Sequence, residues 1–316
     1  MSALRRRRPR YSDLPGGDAR GVFGAGDTLG CLNLLTEERL AAAARLVRDG
    51  RVFSLNGELG AWPDPSPAGR SVRPRHRHHV VELVPGIVRD DHLDGFQLQG
   101  GTQWDGFLHI IDPATGASYN GAGAASPGVA AWAARGIAGR AVLLDVARWA
   151  AGQGRPIDWR SRTEIGPEAL VACAASQGVA VEEGTILLIR VGWQEGYAAL
   201  SPQERVAHSP EDPAERLPVP GLAPSPAMAA LLWDWGVAAV ACDNPSVEVT
   251  PYAAGLAESL HTLLLARLGM PMGELWLLDE LAAFCHETGR YEMLLTSAPL
   301  NLRHGVGTPA NALALM

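Results

Sequence analysis

Only four cysteines occur in 316 residues, Cys31, Cys173, Cys242 and Cys285. Their wide spacing forms neither a zinc-finger set nor a redox pair, so reduced thiols in a cytoplasm are the simplest account. No apolar run reaches the roughly 18 residues that a membrane-spanning helix needs, and no membrane partner is expected. Neither an internal repeat nor a long low-complexity linker divides the chain. Positive charge is in the minority. The 27 basic and 34 acidic residues give a net charge of −7, which disfavours nonspecific nucleic-acid binding and suits a soluble enzyme. The local exception is Arg5-Arg6-Arg7-Arg8-Pro9-Arg10. No apolar run follows it, so neither a secretory nor a twin-arginine signal is expected. Residues 1–19 are read as a disordered, solvated arm and residues 20–316 as one catalytic unit.

The chain is 47% hydrophobic, enough at this length to bury a large core. Helical patterns run over Glu37 to Val47, Pro167 to Gln177, Pro226 to Trp235, Glu258 to Leu268 and Leu278 to His286. Strand patterns run over Val72 to Val84, Ala141 to Val146, Thr185 to Val191, Val237 to Cys242 and Tyr291 to Ser297. Such mixing predicts an α/β or α+β domain.

The most informative stretch is Leu98-Gln99-Gly100-Gly101-Thr102-Gln103-Trp104-Asp105-Gly106-Phe107-Leu108-His109. It gathers side chains able to hold a metal and move protons within an apolar, glycine-broken segment. Gln99, Gln103, Asp105 and His109 are separated by even intervals, which places them on one face of an extended backbone. A straight strand would spread them over roughly 30 Å at about 3.3 Å per residue, so they converge only if the chain bends. Gly100, Gly101 and Gly106 supply the bends. A helical turn beginning at Asp105 would bring His109 back towards it. A bland alternative has Trp104, Phe107, Leu108 and Ile110 filling a core, Asp105 capping a helix and His109 hydrogen-bonded inside.

This stretch resembles the metal-binding motif of the cyclase superfamily, which includes bacterial kynurenine formamidases and isatin hydrolases and reads His-x-Gly-Thr-His-x-Asp-x-Pro-x-His. Gln99 and Gln103 occupy the first two histidine positions, Asp105 the aspartate, Phe107 the proline and His109 the last histidine. The Gly-Thr-Gln-Trp-Asp form is similar to a longer branch that includes metal-dependent dienelactone hydrolases. By this resemblance Asp105 is a metal ligand, joined by Gln99 and Gln103 through neutral amide oxygens, and His109 is the catalytic acid and base.

A second segment, Glu258 to Trp276, has leucines at helical spacing and a stop at Gly269 and Pro271. The superfamily has a histidine here and a glutamate about a dozen residues later, both metal ligands. His261 and Glu274 look like that pair. Read alone, they would be a capping histidine and a solvated glutamate. Gly24 to Leu35 resembles the opening of the longer branch, and Pro299 to Asn301 with Gly305 to Pro309 resembles its close. The resemblance implies a swivelling β/β/α architecture in a single catalytic domain.

Trp62-Pro63 resembles the formamidase segment whose tryptophan contacts substrate, and Asp243-Asn244-Pro245 ends an apolar strand where α/β proteins often place functional groups. Trp62, Trp104, Asp243 and Asn244 are therefore the candidate substrate-binding residues. Arg73-Pro74-Arg75-His76-Arg77-His78-His79 is read as a solvent-facing or edge strand, because its arginines oppose a cation. Asn120 to Ala125 is read as a surface loop.

These assignments predict one divalent ion, Mn2+ or Zn2+, activating water for attack on an amide, lactone or ester carbonyl of a small molecule, with His109 carrying the proton. The reverse reaction would close a ring. Two alternatives stand beside this: a cofactor-free cyclase or isomerase using Asp105 and His109, and a non-catalytic, degenerate family member. Analogy with the superfamily predicts a homodimer or homotetramer.

Overall fold

A computed structural model describes residues 8–62, 75–123, 125–207, 218–252 and 255–316. The strands among them are β1 (Val52–Ser54), β2 (Arg77–Val84), β3 (Val88–Asp94), β4 (Gln103–Asp105), β5 (Ile137–Asp145), β6 (Glu164–Ile165), β7 (Thr185–Arg190), β8 (Gly221–Leu222), β9 (Val237–Cys242), β10 (Met272–Glu274), β11 (Glu292–Ser297), β12 (Gly307–Pro309) and β13 (Ala312–Leu315). Nine of them form one mixed sheet in the order β1-β13-β11-β5-β7-β9-β10-β4-β12. With helices packed around it, this is a single α/β unit.

The centre of the sheet follows from composition. Strands β5, β7 and β9 are nearly continuous apolar runs that pair in parallel and are almost wholly buried, as expected of strands covered on both faces. The covering helices carry ordinary boundary signals. Pro167–Gln177 starts on a proline and ends at Gly178, whose φ of 66° closes the turn. In Pro226–Trp235, Ser225 Oγ accepts from Met228 N at 3.1 Å, and Gly236 ends the helix.

Beyond β9 the sheet narrows to three-residue strands, and these position the site. β10 runs parallel to β9, while β4 runs antiparallel between β10 and β12. Glu274 pairs with Gln103, and Asp105 pairs with Met272 and Gly307. Alternation then puts Gln103, Asp105 and Glu274 on one face and Trp104 on the other.

Three expectations change. Residues 1–7 lie outside the described residues, but 8–19 are docked rather than disordered. The Arg8 guanidinium lies 4.5 Å over Trp233, whose Nε1 donates to Pro9 O at 2.9 Å. Leu14 and Ala19 enter the core, so apolar burial and a cation–π contact tether what charge alone made look solvated. The segment Glu258 to Leu268 splits into a 3-10 turn at Leu256–Glu258 and a π-helix at His261–Leu268. Glu248 accepts from the backbone N–H groups of Leu260 and His261 at 2.7 and 3.2 Å, which fixes where this helix begins. The strand expected over 72–84 begins at Arg77 and turns back into β3 as a hairpin; 72–74 lie outside the described residues.

Candidate metal centre

β4 ends at Asp105, and Gly106 leads into a 3-10 turn at Phe107–His109. That turn supplies the bend required by the even spacing and brings His109 Nε2 to 3.9 Å from Asp105 Oδ1. From β10 comes Glu274, and from the first turn of the π-helix comes His261. The imidazole Nε2 of His261 lies 3.2 Å from Glu274 Oε1 and 3.9 Å from Asp105 Oδ2. Asp105, His109 and His261 each bring a donor atom within 4.8 Å of the others. Asp105 is fully buried, while the His109 side chain is 25% exposed and so is the group that meets solvent.

The two glutamines behave differently. Gln103 is buried, and its Nε2 donates to Glu274 Oε2 at 2.7 Å. Its Oε1 is buried without a hydrogen-bond partner, as is Asp105 Oδ2. Gln99 meets the site with its amide nitrogen instead, donating to Asp105 Oδ1 at 2.6 Å and lying 2.8 Å from His109 Nδ1. A carboxylate only accepts, so Asp105 fixes which end of that amide faces it. Expected as an oxygen donor to a metal, Gln99 is placed to orient Asp105 and His109. Gly307, opposite Asp105, makes room for it, since a Cβ there would lie 2.6 Å from Gln99 Cγ.

Glu248 was not among the residues singled out from sequence. Its Oε1 lies 2.6 Å from His261 Nδ1, a carboxylate–histidine contact that turns Nε2 towards Asp105 and Glu274. Its one sequence signal is a carboxylate inside the apolar run Val247-Glu248-Val249. Tyr252 stands edge-on to His261, with ring centroids 6.3 Å apart. Backbone strain flanks both glutamates. Val247 and Leu275 each hold a φ of 58°, a conformation such side chains adopt at a cost of about 1–3 kcal/mol. Burial opposes charge on His261, but hydrogen bonds to Glu248 and Glu274 override it and raise its pKa well above 6.5.

Three of the candidate substrate-binding residues, Trp104, Asp243 and Asn244, are engaged away from this centre. Trp104 faces away into the core, donating from Nε1 to Ser297 Oγ at 2.9 Å and meeting the Trp276 ring at 4.7 Å. The alternation that points its neighbours into the site points it into the core. Asp243 accepts from Val191 N and Gly192 N at 2.7 and 2.9 Å, and burial raises its pKa to about 6. Asn244 donates to Pro220 O at 2.7 Å. Both side chains tie loops at the end of β9. Trp62 lies against Gly101, and its Nε1 is 3.4 Å from Gln194 Oε1; Pro63 is outside the described residues.

The family model described as "Putative cyclase" matches residues 54–249. The chain belongs to the cyclase family. A solved structure described as a novel cyclase is similar at 29% identity with a TM-score of 0.78, covering 95% of this chain and 99% of that one. Isatin hydrolase A from Labrenzia aggregata, bound to benzyl benzoate, shares the cyclase-family fold at 18% identity and a TM-score of 0.59, covering 88% and 97% of the two chains. Isatin hydrolase A from Ralstonia solanacearum does so at 18% identity and a TM-score of 0.59, covering 84% and 91%. No curated protein matches the chain. No helix among the described residues is long and apolar enough to cross a membrane.

Proposed function

We propose that this cyclase-family protein is a divalent-metal-dependent hydrolase that opens a lactone, ester or amide carbonyl of a small molecule, or closes the ring in reverse. One observation carries the proposal. Gln103 Oε1 and Asp105 Oδ2 are buried without hydrogen-bond partners where His261 and Glu274 converge. Each such atom costs about 1–3 kcal/mol unless something satisfies it, and a cation suits two oxygens beside an imidazole. Asp105, His261 and Glu274 would hold the ion, with Gln103 Oε1 as a neutral donor. Oxygen-rich donors with one imidazole suit Mn2+ or Zn2+. Two carboxylates neutralise one divalent ion and leave nothing for a second, so the site is mononuclear. When bound, such an ion supplies a water of lowered pKa and polarises the carbonyl.

The side chains do the rest. Gln99 gives its N–H to Nδ1 of His109, so a neutral ring carries its proton on Nε2, the nitrogen that faces Asp105. That proton is the one positioned to reach a leaving group, and the partial exposure of His109 lets solvent restore it. Glu248 accepts from Nδ1 of His261 and keeps its Nε2 unprotonated when it serves as a donor. Trp62, beside Gly101, offers an apolar wall for a ring. A cytoplasmic homodimer or homotetramer completes the proposal, and light scattering tests the assembly.

The functional test is a panel of lactones, formyl amides and cyclic imides, assayed with added manganese or zinc. We expect turnover that exhaustive chelation abolishes, that either metal restores, and that Asp105→Asn eliminates. Turnover surviving chelation would favour acid–base catalysis by Asp105 and His109 without a metal.

A further inference from the structure

Away from the catalytic centre, the hairpin of β2 and β3 carries another set of side chains suited to a cation. These two strands pair only with each other among the described residues. His79 stands directly opposite His92, and Asp94 stands opposite Arg77. Residues two apart share a face, so His79, His92 and Asp94 project from the same side. The two imidazoles stack with centroids 4.9 Å apart and planes 11° from parallel. Nε2 of His79 lies 3.1 Å from Asp94 Oδ2, and Nε2 of His92 lies 3.8 Å from Asp94 Oδ1. One donor atom from each of the three falls within 4.8 Å of the others. The three side chains are 43–64% exposed, but the Nε2 atom of His79 is itself shielded from solvent, and its approach to Asp94 lacks hydrogen-bond geometry.

We propose that His79, His92 and Asp94 form a divalent-cation site of the zinc class, separate from the catalytic centre, that clips β2 to β3. Two imidazoles and one carboxylate are donors that zinc accepts in tetrahedral coordination, with water free to take the fourth position. The charge on this face agrees. Arg77 is outweighed by Asp94 and by Asp90, which stands opposite Val81 on the same side, so Arg77 does not make this face positive. The hairpin also has need of a clip. Val80 is 60% exposed and Ile87 at its tip is 80% exposed, and a two-stranded hairpin with so little packing is marginally stable in water. An ion held by residues from both strands would fix the pairing register.

The test uses the full-length protein, stripped with chelator and dialysed against zinc chloride, with zinc counted per chain. We expect a His79→Gln/His92→Gln variant to bind one equivalent fewer than the parent. His78 lies on the opposite face and pairs with Asp91 at 2.8 Å, so His78→Gln should bind as much zinc as the parent. Asp105→Asn should keep the equivalent that the hairpin holds, which makes the result independent of the catalytic proposal. Zinc should also slow proteolytic cleavage at the 84–88 turn in the parent and leave it unchanged in the double variant. Equal zinc content in the parent and the double variant, or cleavage in the parent that zinc does not slow, would overturn the proposal.

Discussion

Glu248 governs the centre from behind the donor atoms, through Nδ1 of His261. Replacing Glu248 by Gln leaves an amide that can still accept from Nδ1 of His261 but has lost the charge that holds the ring. We expect metal affinity to fall about 10- to 100-fold, measured by chelator competition; unchanged affinity would show that the contact is structural only. Two pKa shifts make the metal-free protein sensitive to pH in one direction. Asp243 is raised to about 6 by burial, and His261 is raised by its bonds to Glu248 and Glu274. Both bind protons more tightly folded than unfolded, so stability is lost as pH rises through their folded values. For Asp243 the loss runs from an unfolded value of about 4 to the folded value of about 6, and for His261 it begins above about 6.5. The melting temperature of metal-free protein should fall between about pH 5 and about pH 8, and a rise would contradict these shifts. At this scale the sequence picked out Asp105, His109, His261 and Glu274, which the fold brings together, because their spacing resembled a motif. Glu248 escaped notice because its partner depends on how a loop folds, which no periodicity encodes.

At the scale of elements, the short strands β4, β10 and β12 explain both what was legible and what was not. The turn of Trp104 into the core was implicit in the even spacing that puts Gln103 and Asp105 on one face, but three residues encode no partner, so the pairing of Gln103 with Glu274 could not be read in advance. The long runs of β7 and β9 were legible almost to the residue, since apolar composition alone defines a doubly covered strand. The helix bearing His261 was read at the right place but with the wrong winding, because leucine spacing over so short a stretch does not distinguish α from π. Gly307 tests how tightly β12 controls the centre. In Gly307→Ala the new methyl group would displace Gln99, whose Cγ is 2.6 Å from the ideal Cβ position. A flexible side chain can move at little cost, so we expect a nearly unchanged melting temperature with kcat about tenfold lower, within the usual contribution of proton transfer. Unchanged kcat would remove Gln99 from the machinery.

Across the whole molecule, all 27 basic side chains are arginine, so no lysine is present to form a Schiff base. The alternation of helix and strand patterns was enough to predict an α/β unit, and the nine-stranded sheet with its covering helices agrees. The docking of residues 8–19 was not legible, because four consecutive arginines hide the apolar contacts made just after them. The central claim is that Asp105, His261 and Glu274 share one divalent ion. An anomalous-difference map from crystals grown with manganese tests it most directly. We expect a single peak bounded by those three side chains and Gln103, absent in Asp105→Asn; an enzyme that turns over substrate with no peak between Asp105 and His261 would contradict it.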